Sequence, residues 1–389
     1  MSRRGPAGPA STAVAAALPG WALGRVMTVG ALGVARRVVD FLHPVAGGVA
    51  GRAHEGLTGW DASWYLGIAR TGYARQPREA LRFFPLVPLL TRALAWLTRL
   101  PMSTSLLVVS NLSALVLGAL LYHLAVEETG DDGLARRAAW LVALAPPAYT
   151  LVMGYAEATL GMLALGVFLA LRSGRWWWAA ALGVLAGLTR PIGALLVVPA
   201  LIEAVGWSGP TMRQGFGPRR GGGGGGGGGG GRLAAVAGPI AGAGAFLTWA
   251  GSRFGDPFLP LSVQEERAHR GGFANPFSSL DRAVRDLSGG VHIGTGLHLP
   301  WAVLMVGLAV VAARRWPPAY GAFAVAVVVV ALSAANLDSA ERYALSAFPL
   351  VLAAADLTAS ERVFRAVLAL SSALLVAYAT LAFLNLSVP

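Results

Sequence analysis

Apolar runs of about 15 to 25 residues recur along this chain, each bounded by short stretches of Arg, Gly or Pro. That length is what an α-helix needs to cross a hydrocarbon core of about 30 Å. A backbone in lipid must also satisfy its own hydrogen bonds, which a helix does within one segment. The pattern predicts about eleven spans, near 12–35, 103–126, 138–150, 152–172, 176–190, 191–207, 233–251, 300–313, 317–335, 343–357 and 366–386. The expected fold is an all-α polytopic membrane protein.

Several of these runs are shorter than a crossing. The run from 138 stops at Pro146-Pro147, and two runs meet at Arg190-Pro191. Half-length helices meeting at such turns predict a cavity, because irregular backbone at membrane depth has to line water or protein. Phe83 to Leu100, apolar on one side with Arg92 and Arg99 on the other, reads as an interfacial helix. The apolar run that follows Arg3-Arg4 is expected to be a retained first span; no clean small-residue site for signal-peptide cleavage ends it.

Composition supports the membrane reading. Of 389 residues 55% are hydrophobic and 13% charged, with a mean hydropathy of +0.60. Soluble domains carry about a quarter charged residues. The net charge of +12 comes from 31 basic residues, all Arg, against 19 acidic ones. The arginines fall mostly between apolar runs, where they set topology or meet lipid head groups, so no nucleic-acid partner is inferred. With no Cys, disulfides, thiolate metal sites and thiol nucleophiles are excluded.

The short Arg-rich loops (Arg136-Arg137, Arg172 with Arg175, Arg213 to Arg232, Arg314-Arg315, Arg362 with Arg365) fall on one side if the N-terminus is cytoplasmic. Two long loops, about 36–102 and 252–299, then lie on the outer side of a cell membrane. Gly221 to Gly231, flanked by Arg219-Arg220 and Arg232, reads as a flexible cytoplasmic linker. It divides an N-terminal membrane module, 1–220, from a C-terminal one, 233–389.

The densest chemistry lies in the first outer loop, at Gly59-Trp60-Asp61-Ala62-Ser63-Trp64-Tyr65. Trp60, Trp64 and Ile68 share one helical stripe, with Asp61 and Tyr65 on the next. Such a stripe can lie in the head-group layer and present the carboxylate to a cavity; alternatively Asp61 favours the helix N-terminus electrostatically. The same topology brings Tyr155 with Glu157, Arg190, and Glu341-Arg342-Tyr343 to the outer ends of short spans. Ionisable groups at membrane depth point to function, although Glu157 and Arg190 would also serve as a structural pair.

The six histidines show no ligand spacing and Asp131-Asp132 lies on the cytoplasmic side, so neither a metal nor another cofactor is expected. The glycine run lacks the Lys and Ser/Thr of a phosphate loop.

Trp60-Asp61-x-x-Trp64-Tyr65-x-x-Ile68-Ala69-x-x-Gly72-Tyr73, then Phe83-Phe84-Pro85-Leu86-x-Pro88-Leu89, resembles the PIG-V-type mannosyltransferases of the GT-C superfamily. Ala145-Pro146 with Tyr155-x-Glu157, Leu188-Thr189-Arg190-Pro191-x-Gly193, and Arg342-Tyr343 with Phe348-Pro349 extend the likeness to about residue 355. The resemblance implies a GT-C-like bundle that moves mannose from a polyprenyl-phosphate donor to a glycolipid or glycan acceptor on the non-cytoplasmic face. It also implies that the acidic residue of the first outer loop, Asp61, is the general base.

Sugar chemistry agrees. An attacking hydroxyl must lose a proton, which a carboxylate can take, and a lipid phosphate leaving group suits the forks of Arg190 and Arg342. Inversion at a β-linked donor needs no second carboxylate. Trp60, Trp64, Tyr65, Tyr155, Glu157 and Tyr343 are expected to line the pocket. The competing reading is a transporter or flippase, whose substrate sites also sit at broken helices.

Overall fold

The computed structural model describes residues 9–42, 50–206, 229–266, 271–289, 298–335, 337 and 339–386. Among them the protein is helical, apart from short connections and one isolated β-bridge between Phe273 and Ala334. Four helices are long and apolar enough to cross a membrane: α1 (Pro9–Leu42), α5 (Met102–Thr129), α10 (Gly229–Phe254) and α17 (Glu361–Phe383). Shorter apolar helices pack among them, including α4 (Leu86–Thr98), α8 (Trp176–Gly187), α9 (Val197–Val205), α14 (Pro318–Leu332) and α16 (Phe348–Leu357). This is a multi-pass membrane protein.

Where the expected spans differ from the helices, the cause is local. The run expected from 152 becomes helical only at Glu157, because Pro146–Leu151 winds as a 3₁₀ segment. The run expected at 191–207 opens as a second 3₁₀ segment, Pro191–Leu196, before α9 begins. That at 343–357 is two helices, α15 (Ala340–Ser346) and α16, divided at Ala347 just before Pro349. A proline has no N–H to give a preceding turn, so each break falls at a helix start where the loss is tolerated. Of the glycine run, Gly221 to Gly228 lie outside the described residues, while Gly229 to Gly231 begin α10.

At the centre stands α7 (Glu157–Arg172), buried along most of its length and packed by α5, α8, α9 and α15. Sixteen residues make it about 24 Å long at 1.5 Å per residue. Charge lies at both ends. At the far end from Glu157, Arg172 grips Glu128 of α5 through two bonds of 2.6 and 3.1 Å and lies 3.7 Å from Glu203 of α9. The Tyr320 hydroxyl of α14 donates to the same Glu128 at 3.0 Å. Four helices are thereby tied at one level.

Helices α8 and α10 approach until their backbones touch. Gly183 and Gly187 face Pro239, and Gly238 and Gly242 of α10 face the carbonyls of Ala180 and Val184. Each pair is a glycine-xxx-glycine step, the spacing that lets helices in lipid pack without side chains between them. A Cβ at Gly187 would lie 2.2 Å from the Pro239 carbonyl oxygen, and one at Gly242 only 2.0 Å from that of Val184. Gly187→Val and Gly242→Val are therefore expected to cost at least roughly 1–3 kcal/mol, read as a lowered thermal midpoint in detergent. Gly30→Ala in α1, with nothing within 4 Å of its Cβ, should leave that midpoint unlowered, or raise it slightly through better helix propensity.

Candidate active site

The first element of the site is α3 (Asp61–Thr71), which follows a short helix α2 (Ala50–Glu55) and a 3₁₀ turn at Gly56–Thr58. Trp60, just before it, holds φ +54 and ψ −131, outside the usual regions for a side chain-bearing residue. Such strain persists only where surroundings fix it. Here the indole N–H donates to the carbonyl of Ala382 in α17 at 3.0 Å, and the Arg52 guanidinium lies 4.2 Å over the ring. Trp64 stacks on Phe83 with centroids 5.8 Å apart, and Tyr65 meets the same ring edge-on at 5.2 Å. Aromatic packing of this kind fixes the roll of α3, and with it the direction of Asp61.

Opposite stand Glu157, the first residue of α7, Arg190 in the turn before Pro191, and Arg342 in α15. Arg342 pairs with Asp61 by a hydrogen bond, and its Nε lies 3.2 Å from Glu157 Oε1. Arg190 hydrogen-bonds the same Glu157 oxygen. The Arg342 guanidinium carbon sits 5.4 Å from the Tyr155 ring centre, and that of Arg190 lies 5.3 Å from Tyr343. The Tyr155 hydroxyl accepts the Asp61 backbone N–H at 3.3 Å. Two carboxylates thus face two guanidiniums among aromatic rings, so the formal charges cancel.

The four are unequally open. The Glu157 side chain is 1% exposed, Arg342 10% and Arg190 14%, whereas that of Asp61 is 27% exposed. A second molecule can reach the Asp61 carboxylate more readily than Glu157. Burial alone would raise the proton affinity of Asp61; Arg342, by charge and hydrogen bond, with help from the charges of Arg190 and Arg82, holds it below the ordinary carboxylate range. The carboxyl is therefore ionised at neutral pH.

Every residue expected in the site from sequence lies in or beside this cluster. Trp60 and Trp64 frame it rather than fill it. Glu157 and Arg190 are joined, as their structural pairing required. Sequence reasoning missed three features. Arg82, in the 3₁₀ segment Arg78–Arg82, adds charge near Asp61. Arg52 clamps Trp60 from α2. Next to Arg342, buried Glu341 binds His298 at 2.7 Å. Only the run Glu341-Arg342-Tyr343 hinted at that last pair, since the partner lies 43 residues away. Among the described residues, no three His, Asp or Glu side chains gather as a metal site.

Among the described residues, a helical multi-pass body with a charged, partly open cluster at the Glu157 end of its central helix defines a membrane protein built around a polar site. Residues 42–201 match the model of the family described as Mannosyltransferase (PIG-V). The match supports the PIG-V-type family to which the motifs pointed, and the protein is a membrane glycosyltransferase, of the mannosyl-transferring kind. It favours the enzyme over the transporter reading. The matched stretch contains Asp61, Tyr155, Glu157 and Arg190; Arg342 comes from the chain beyond it. No curated protein and no solved structure matches the chain significantly.

Removing one partner from a buried ion pair leaves an uncompensated charge, typically at a cost of about 3–5 kcal/mol. Glu157→Ala and Arg190→Ala should each lower the thermal midpoint sharply, and the double variant should lose much less than the sum of the two. Simple additivity in such a cycle would mean that the pair carries no coupling.

Proposed function

We propose that the protein transfers mannose from polyprenyl-phosphate-mannose to a glycolipid or glycan acceptor, with inversion, at the outer face of the cell membrane. Asp61 is the general base, and Arg190 and Arg342 hold the donor phosphate. The observation that carries this reading is the Asp61–Arg342 pair, in which the one accessible carboxylate touches a buried guanidinium. The contact stores the base beside the phosphate ligand until the donor binds; inversion then needs the sugar ring between them, with Asp61 and the acceptor on the face opposite the phosphate.

In that displacement the acceptor oxygen attacks the anomeric carbon from the face opposite the phosphate. The bond from that carbon to the phosphate oxygen breaks, its electron pair goes to the phosphate, and the acceptor proton passes to Asp61. Charge grows on the leaving phosphate as the bond breaks, so fixed guanidiniums there are worth most in the transition state. Glu157, sealed from solvent, keeps both arginines in place when no phosphate is present. When a phosphate draws Arg342 away from Asp61, the carboxylate becomes a stronger base at the moment it is needed. Trp60, Trp64, Tyr155 and Tyr343 wall the pocket.

The wider arrangement follows the arginine pattern: about eleven membrane passages, a cytoplasmic N-terminus, outer loops at 36–102 and 252–299, and a cytoplasmic glycine linker between two membrane modules in a GT-C-like body. The helix Leu86–Thr98 lies at the outer interface. It exposes Leu89, Leu90, Trp96 and Leu97, while the Arg92 guanidinium donates to the Ala69 carbonyl at the end of α3, 2.9 Å away.

Asp61→Asn is expected to lower transfer from polyprenyl-phosphate-mannose by about 10²–10⁴-fold at unchanged protein level, measured with labelled donor in membranes. A variant with wild-type rate would remove Asp61 from the mechanism. Because Arg342 depresses the proton affinity of Asp61, the base is present above the depressed pKa and lost as pH falls through it. The acid limb of kcat/KM, which reports the free enzyme, should accordingly lie below the ordinary carboxylate range; a limb centred near neutrality would point to another base.

A further inference from the structure

Tyr65 stands one helical turn after Asp61 on the same side of α3, with its residue surface 3% exposed. Its ring is held edge-on to Phe83. Its hydroxyl has no hydrogen-bond partner among the described residues. The two neighbouring tyrosines differ: Tyr73 donates to the Phe83 carbonyl at 2.6 Å, and Tyr155 accepts from the Asp61 backbone. A sealed orphan would be costly. Yet the sealed, unpartnered side-chain atoms of the described residues are Thr91 Oγ1, Ser105 Oγ, Arg172 Nη1, Glu341 Oε1 and Arg342 Nε. The Tyr65 oxygen is not one of them, so it meets open space.

That space lies beside the charged cluster, since Tyr65 stands one turn from Asp61 on the same side of α3. The Tyr65 phenol feels the charges of Arg190, Glu157, Asp61 and Arg342 together. Burial, the largest influence on it, pushes its ionisation far above the ordinary tyrosine range, so the proton stays on the oxygen. Within the cluster Arg190 is engaged by Glu157, and Arg342 by Asp61 and Glu157. In Tyr65 an arriving anion finds a neutral donor that no described residue engages; the Tyr155 hydroxyl, which only accepts from the Asp61 backbone, is a second.

Resting on the glycosyl-transfer reading, we infer that the Tyr65 hydroxyl donates a hydrogen bond to a non-bridging oxygen of the donor's phosphate and holds it as that phosphate leaves. Tyr65 is then a phosphate ligand that carries no charge. It adds a donor without adding charge to a cluster beside which Arg82 already stands.

The test is Tyr65→Phe, which keeps the ring on Phe83 and removes only the hydroxyl. A hydrogen bond to a charged group corresponds to about a ten- to hundred-fold effect. The variant should therefore lose about ten-fold in kcat/KM for polyprenyl-phosphate-mannose, and inhibition by added polyprenyl monophosphate should weaken by a similar factor, with the acceptor KM unchanged. A second variant, with 3-fluorotyrosine at position 65, makes the phenol a stronger donor and should tighten the same inhibition. Unchanged inhibition in both, or a change confined to the acceptor KM, would overturn the assignment. Failure of the underlying reading looks different: transfer would then survive Asp61→Asn, whatever Tyr65 does.

Discussion

One guanidinium, that of Arg342, joins the two carboxylates on which the site depends. It bonds Asp61, at the start of a helix in the first long loop, and approaches Glu157, at the start of the central helix, across sequence separations of 281 and 185 residues. A charge at that depth is stable only when paired. Arg342 therefore cannot relax away from both partners, and the three helices that carry them have to converge. The remainder of the cluster serves this convergence: Arg190 shares the load on Glu157, and aromatic rings lie under both guanidiniums.

The elements that deliver the two ends of the Asp61–Arg342 pair share a backbone device. Trp60 stands immediately before Asp61 with φ +54, and Ser339 precedes α15 with φ +63. A chain that turns through positive φ at a non-glycine residue is held there by its surroundings. For Trp60 those surroundings are visible, since Arg52 covers its face and the Ala382 carbonyl receives its N–H. Burial, strain and charge pairing act on the same few residues, which is why the site is rigid while Asp61 remains reachable.

Much of this was legible in the sequence. Apolar period and length showed a helical membrane body, and Pro146-Pro147 and Arg190-Pro191 marked where helices break. Ionisable residues in otherwise apolar stretches singled out Asp61, Glu157, Arg190 and Arg342, because their presence there is expensive without a purpose. What stayed hidden was pairing. Nothing in the neighbourhood of Arg342 tells that it prefers Asp61 while also reaching Glu157, or that Glu341 turns the other way to His298. Helix limits were blurred as well: a hydropathy run does not distinguish an α-helix from the 3₁₀ turn that opens it, as at Pro191–Leu196. The contact of α8 with α10 was written in four glycines, but two ordered pairs of small residues have no meaning until it is known that they face one another.

The central helix is bolted at both ends. Glu157 is fixed to two arginines at one extremity, and Arg172 to Glu128 and Glu203 at the other, so α7 can neither piston along its axis nor twist without stranding a charge. Any rearrangement about the site must then come from the elements around α7, among them α4, which exposes Leu89, Leu90, Trp96 and Leu97. The helix is in this sense an axle, and its Glu157 end is the fixed point from which both arginines hang.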